Sequence, residues 1–306
     1  MGVAWTILGG ALNVALVLAL APLLQGVICK LTARIQSRHG PPMLQPYFDL
    51  LKLLGKEDLE CGESPRVQRF AAWLSLASAL TVACLLPMGY GTPLNGAADS
   101  IVLIYLLTLC GVSTLLAGVA AGSTYSLIGV SREMMSMIAL EPLLAVAILV
   151  GAIHARSLRL DAVLNGSVYA APGLPWSGVL MAAVMLLSFQ AFVQRAPFDV
   201  AEAETELMEG PLAEYSGPKL ALFQYARMAR LIIYGGLFAG LFLPWGSQLP
   251  FPLGWLLFWT KVLVMVLVVS LIAATHARFR IDQALRYFAG LMGVSMLALA
   301  LAAMGY

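Results

Sequence analysis

Six carboxylates crowd into RAPFDVAEAETELMEGPLAEYSG, residues 195–217, of a chain with sixteen Asp and Glu in 306 residues. From Asp199, the acids Glu202, Glu206 and Glu209 follow at i+3, i+7 and i+10. On a helix this spacing predicts four acids within roughly a quarter of the circumference. Val200, Ala203 and Leu207 supply an adjoining apolar stripe, Pro197 suits a helix start, and Gly210–Pro211 makes a stop. Glu204 and Glu214 complete the set. Like charges three or four residues apart cost a few tenths of a kcal/mol per pair, so a merely solvated face gains only solubility from them. The chemistry such a face offers is proton collection, an acidic funnel leading towards a membrane.

A second pair of acids sits in IGVSREMMSMIALEPLL, residues 128–144. Glu133 and Glu141 are eight positions apart, about 12 Å along a helix. Glu141 falls well inside an apolar run, where an ionised carboxylate is costly unless it is paired or hydrated. Pro142 removes a backbone donor and frees the carbonyl near residue 138, which lets water or polar groups enter. A proton-relay site follows from this reading, with a paired acid locking two helices as the structural alternative. Lys261, in WLLFWTKVLVMVL, is the one cation inside an apolar run and is either a charge partner or a side chain snorkelling to an interface.

The elements that must hold these groups follow from composition. The chain is 60% hydrophobic and 11% charged, with a mean hydropathy of +0.87. That defines a polytopic, all-α membrane protein. Eight spans are expected near 3–29, 70–88, 100–120, 133–153, 177–194, 230–245, 255–276 and 285–304. None alternates as a barrel strand does. The whole of 1–306 reads as one integral membrane domain, its first run a retained helix and not a signal peptide. Fifteen of the eighteen Lys and Arg fall in the odd-numbered loops, so residues 30–69 and 195–229 are assigned to the cytoplasm and both termini to the outside. The net charge of +2 is accounted for by topology and gives no reason to expect nucleic acid. Cys29, Cys61, Cys84 and Cys110 match no metal spacing and read as packing residues.

Loop 1 contains RIQSRHGPPMLQPYFDLLKLLGKED, residues 34–58. Gly40, Pro41 and Pro42 stop the preceding helix. Leu44, Tyr47, Phe48, Leu51 and Leu54 then recur at helical spacing, with Asp49, Lys52 and Lys56 pointing away. A short amphipathic helix in the membrane interface is expected.

Together these stretches resemble a known family. RAPFDVAEAETELMEGPLAEYSG is similar to the signature loop of the membrane component called subunit 1 or H in respiratory complex I and shared with energy-converting NiFe hydrogenases and formate hydrogenlyases. RIQSRHGPPMLQPYFDLLKLLGKE and IGVSREMM, with Glu141 nine residues after Arg132, match two further signatures in the expected order. The compact RHGPPMLQP and EGPLAEYSG lean towards the hydrogenase and formate hydrogenlyase branch.

The resemblance implies an inner-membrane coupling subunit of a bacterial or archaeal complex, itself without redox cofactors. Peripheral hydrogenase large and small subunits would carry the NiFe centre and iron–sulfur clusters, and antiporter-like subunits would continue the membrane arm. Glu133, Glu141, Asp199, Glu202, Glu204, Glu206, Glu209 and Glu214 match acidic positions of a relay for H⁺ or Na⁺. Arg34, Arg38, Arg132 and Arg195 fall in or beside the same motifs as charge partners or docking groups. The competing readings are a quinone-site subunit of a complex I-type dehydrogenase and an autonomous ion transporter. The Lys and Arg asymmetry makes a direct prediction: a single cysteine replacing Asn95 is labelled from outside and one replacing Arg38 from the cytoplasm. The reverse pattern of membrane-impermeant labelling would invert the topology.

Overall fold

The computed structural model describes residues 3–60, 62, 64–89, 99–164, 167–169, 175–201, 208, 210–246, 249 and 252–305. In order come α1 (Val3–Ile35), α2 (Gln45–Leu54), α3 (Pro65–Leu85), α4 (Ser100–Ala121), α5 (Thr124–Ala155) and the single turn α6 (Leu160–Val163). There follow α7 (Trp176–Phe192), α8 (Gly217–Phe242), α9 (Leu253–Thr275) and α10 (Ile281–Met304). The described residues form no β-strand beyond an isolated bridge between Asp99 and Arg159. Six of the helices, α1, α3, α4, α5, α9 and α10, are long and apolar enough to cross a bilayer. Helix α7 is apolar but has 17 residues, and α8 is longer but carries Lys219, Arg227 and Arg230. These two helices fall on the two remaining expected spans, 177–194 and 230–245, but are not among the six.

Helix α8 is the axis of the bundle. It packs against α1, α2, α3, α7 and α9, while α4, α5 and α10 close the remaining circuit. Every residue from Ala229 to Ala239 is buried, as expected of a helix surrounded by protein and not by lipid. Phe192 stacks on Tyr234 at 5.3 Å, and Phe189 meets Phe238 edge-on at 6.1 Å, fixing α7 on this axis.

Two boundaries differ from the sequence expectation. Helix α5 starts at Thr124, not near 133, so loop 3 shrinks to Gly122–Ser123 and both Arg132 and Glu133 lie within the helix. Gly122, at φ +71, makes the reversal possible, and the Ser123 side chain caps the Ser126 amide at 3.2 Å. Helix α8 starts at Gly217, not near 230, which moves Lys219, Arg227 and Arg230 out of loop 5 and into the helix. A further expectation fails: Pro197 does not begin a helix, and residues 195–201 form turns, a bend and irregular chain. Tertiary contact overrides local pattern there. Phe198 lies among Phe279, Tyr287 and Phe288 with centroids 5.1–5.3 Å away, and the Phe279 amide donates to the Pro197 carbonyl at 2.9 Å.

The expected interfacial helix is present as α2. Its buried seam is Pro46 and Leu50, while Leu44, Phe48, Leu51 and Leu54 are exposed. They form an uncovered apolar face of the kind an interfacial helix presents to lipid. Behind α2, Pro22 leaves the Leu18 carbonyl of α1 without its helical donor. The Tyr225 hydroxyl of α8 donates to it at 2.5 Å, and the Tyr47 hydroxyl of α2 donates to the neighbouring Ala19 carbonyl.

The loops at the α2 end of the bundle are clamped. Gly210–Pro211 sits in a notch between α4 and α5 made by Gly118 and Gly129. The Ser126 hydroxyl bridges this notch, 2.9 Å from the Gly118 carbonyl and 3.0 Å from that of Pro211, and the Tyr215 hydroxyl donates to the Ala117 carbonyl at 2.8 Å. Buried Lys219 reaches Asp58 at 3.0 Å and the Leu59 carbonyl at 3.2 Å, holding the end of loop 1 on α8. A Cβ on Gly129 would lie 2.7 Å from the Gly210 carbonyl carbon and the Pro211 nitrogen, which are backbone and cannot rotate away. Gly129→Ala is therefore expected to destabilise the protein by about 1–3 kcal/mol despite the better helix propensity of Ala. Thermal unfolding in detergent reads this as a lowered midpoint. Gly290→Ala, with open space at its Cβ, serves as the unchanged control, and equal midpoints for both variants would refute the notch.

Candidate functional site

Three cavities share walls along one side of α8. The largest, about 260 Å³, opens between α1, α2 and α8 and is lined by Gln25, Cys29, Asp49, Arg195, Gln224 and Arg227, among others. Gln224 and Arg227 pass on to a second cavity of about 20 Å³, which also touches Glu133, Gln194 and Arg230. Glu133, Gln194 and Arg230 in turn line a third, of about 50 Å³, that ends at Glu141 and Tyr234. The second has room for about one water, and the third for slightly more.

The polar groups at the inner part of this line come from three places in the chain. Helix α5 contributes Glu133 and Glu141. Glu133 is buried and accepts a hydrogen bond from the Gln194 side chain; Arg230 and Arg227 act on it electrostatically from across the cavities. Glu141 has one buried carboxyl oxygen with no partner among the described residues. The turn after α7 contributes Gln194 and Arg195, with Gln194 in the left-handed region at φ +54. Arg195 donates to the Gln25 side chain of α1. Burial lowers the pKa of this guanidinium from the usual arginine value, while Cys29 and Asp199 raise it; an arginine stays charged regardless. Helix α8 contributes Gln224, Arg227 and Arg230, spaced so that all three border the same small cavity.

The expected site residues are therefore dispersed. Glu133 and Glu141 are brought to one cavity, and Arg195 stands at its approach. Asp199 pairs with Arg278 at 3.2 Å and is near enough to act on Glu133, Arg195 and Arg227. Glu214 is exposed on the way into α8. Arg34 and Arg38 are exposed at the end of α1 and just beyond it, and Arg132 is partly buried on α5. Glu202, Glu204, Glu206 and Glu209 lie outside the described residues. Lys261 takes no part in this cluster: its ammonium donates to the Leu243 and Trp245 carbonyls, capping the far end of α8. Sequence reasoning missed Gln194, Gln224, Arg227, Arg230 and Tyr234. The signal present was Gln224, Arg227 and Arg230 at i, i+3 and i+6 ahead of an apolar run, read as topology marks only.

A family model described as NADH dehydrogenase matches residues 9–303. The chain belongs to this family. Within it, formate hydrogenlyase subunit 4 of Escherichia coli K12 is 36% identical over 299 residues, spanning 93% of this chain and 97% of that protein. Hydrogenase-4 component C of the same organism is 36% identical over 84% of this chain and 81% of its own length. An NADH-quinone oxidoreductase subunit of Syntrophobacter fumaroxidans is 33% identical over 88% of this chain and 86% of its own. A chain of the membrane-bound sulfane sulfur reductase, an archaeal respiratory membrane complex, superposes with a TM-score of 0.86 over 97% of this chain and 99% of its own at 23% identity, showing the same fold. The chain is thus a multi-pass membrane protein of the NADH dehydrogenase subunit 1 family, whose relatives are subunits of larger respiratory complexes.

Glu133 shares its cavity with Arg227 and buried Arg230 of α8, both of which favour its charged form, whereas Gln194 supplies it with one neutral donor. Glu133→Leu should then cost about 3–5 kcal/mol, because it leaves buried charge uncompensated, and Gln194→Leu about 1–3 kcal/mol for one lost partner. Denaturant titration of the solubilised chain ranks the two. Gln194→Leu emerging as the costlier change would show that Glu133 is not the counter-charge.

Proposed function

We propose that this chain is the membrane-anchoring and coupling subunit of a respiratory oxidoreductase of the hydrogenase or formate hydrogenlyase type. The observation that carries the reading is the run of adjoining cavities from α2 to Glu141, with two intramembrane carboxyls and three arginines on its walls. Intramembrane acids bordering hydrated space are suited to proton relay. In this proposal the end of the bundle bearing residues 30–69 and 195–216 faces the cytoplasm, and both termini face outward. Peripheral hydrogenase subunits with a NiFe centre and iron–sulfur clusters dock there, Arg34 and Arg38 presenting exposed charge to them. Antiporter-like subunits extend the membrane arm.

Within this reading, redox events alter the charge felt at the mouth of the largest cavity. Arg195, Arg227 and Arg230 pass that change to Glu133, and a proton exchanged there moves through hydrated space to Glu141. The acids of 199–214 collect protons or ions at the cytoplasmic rim. A second reading, the quinone-site subunit of a complex I-type dehydrogenase, draws on the NADH-quinone oxidoreductase relatives and on the cavity beside α2.

Purifying the tagged chain with its native partners decides between them. Nickel and iron in the preparation with hydrogen evolution support the first reading, and quinone reduction without nickel replaces it with the second. Glu141→Gln keeps size and hydrogen bonding but cannot exchange the proton. It should leave an assembled complex in which ion movement in proteoliposomes falls at least tenfold, with hydrogen turnover falling too if coupling is tight. A variant that turns over and pumps like the parent would remove Glu141 from the relay.

A further inference from the structure

The outer surface of the bundle is not uniformly fit for lipid. On α5 the exposed side chains Leu127, Ser131, Met134, Ile138 and Leu149 follow one helical line, spaced as neighbours on a single face. Glu141 falls on this line, three residues after Ile138, and is itself partly exposed. It lies seventeen residues after Thr124 and fourteen before Ala155, about 25 Å and about 21 Å from the two ends of the helix. A carboxyl thus sits at the outside of the bundle, near the middle of the membrane. One of its oxygens is buried and has no partner among the described residues. Helix α4 presents a matching line, Ile101, Tyr105, Val112 and Val119, with Thr108 partly exposed between them. The third cavity reaches the seam between the two helices, lined there by Thr108 and Gly111 of α4 and by Ser136 and Glu141 of α5.

Hydrocarbon suits this flank badly. A lipid tail offers a carboxyl neither donor nor acceptor, and ionisable groups in membrane helices pair with one another or face protein or water. Elsewhere the exterior obeys that rule: midway along their lengths α9 exposes Leu263, Val264 and Leu267, and α10 exposes Val294 and Leu297. Within the flank itself, the Thr108 hydroxyl is engaged by its own helix, donating to the Tyr105 carbonyl at 2.9 Å. Thr108, Gly111 and Ser136 are small, which lets a second helix approach closely. A second copy of this chain related by a two-fold axis along the membrane normal would bring its own Glu141 to the same depth, adding a carboxyl where a donor is needed.

We propose that the α4–α5 flank is the docking face for a membrane-spanning helix of a partner subunit, and that this helix supplies a hydrogen-bond donor to the free oxygen of Glu141. The chemistry that recognises the partner is an apolar helix carrying one side chain with an N–H or O–H at the depth of Glu141. The inference names the membrane partner of the site proposed above. It rests on the chain being one subunit of a complex and not on which redox arm it serves.

The test uses the complex in its native membrane. The photoprobe p-benzoylphenylalanine replaces Ile138, which is 68% exposed, and the complex is irradiated, purified and digested. The expected adduct is a peptide from a membrane-spanning segment of a co-purifying subunit, with an N–H or O–H side chain within one turn of the attachment point. An adduct with phospholipid alone or with a second copy of this chain, or no adduct, overturns the proposal. Retention of the cross-linked subunit through detergent washing, without irradiation, is then measured for Glu141→Leu, for the partner's donor changed to Leu, and for the two together. Each single change should lower retention at least threefold and the pair no further, because both remove one contact. Retention equal to the parent in either single, or losses that multiply in the pair, overturns the assigned contact. Ile138→Trp leaves Glu141 in place and guards against a Glu141→Leu chain that merely fails to fold; it too should lower retention, and retention equal to the parent overturns the docking face. Failure of the relay reads differently: a Glu141→Gln complex that pumps like the parent removes the relay while the Ile138 adduct persists.

Discussion

Positive charge buried on the central helix is the constraint to which the surrounding structure answers. Arg227 and Arg230 lie on α8, a helix walled in by five neighbours. Guanidinium groups in such a place need counter-charge, acceptors or water, since breaking a buried ionic arrangement costs about 3–5 kcal/mol. Glu133 of α5, the turn carrying Gln194 and Arg195, and small cavities with room for water supply these. The same requirement brings the carboxyls of α5 to face α8. The buried cation and the cavities beside it are therefore one feature seen from two sides.

The loops at that end are held with similar care. Lys219 fixes residues 58–59, the Gly118–Gly129 notch takes Gly210–Pro211, and Arg278 holds Asp199. The first ties the end of loop 1 to α8, the second ties Gly210–Pro211 to α4 and α5, and the third ties the chain after α7 to the link before α10. A displacement of the docked loops has short routes to the arginines, because Lys219 and Arg227 are on one rigid helix only eight residues apart. In the proposed coupling role, this would be a mechanical route beside the electrostatic one.

Much of the bundle was legible from hydropathy, because an apolar slab of about 30 Å imposes long uninterrupted runs. The interfacial helix was legible too: the periodicity at 44–54 coincides with Gln45–Leu54. Glu133 and Glu141 stood out because acids are rare in such runs. What remained hidden depends on distant partners. Arg227 and Arg230 resemble loop cations when only the chain around them is read, and their place in the helix makes sense only with Glu133 and Gln194, far away in sequence. The helical pattern from Asp199 gave way at its start because Phe198 finds aromatic neighbours from α10 and the link before it. Lys261 offered two readings, partner or snorkel, and resolves as a cap for carbonyls beyond α8.

Helix α8 also sets a problem of biogenesis. A lone cation at the centre of an inserting helix costs about 2.5–3.5 kcal/mol, and α8 carries Arg227 and Arg230 within its 26 residues. Released singly into lipid, it would have neither Glu133 nor the polar turn after α7 to meet those charges. Both lie earlier in the chain, on segments that leave the ribosome first. The order of synthesis thus provides the acceptors before the cations arrive, with four of the five helices that wall α8 already made and only α9 still to come.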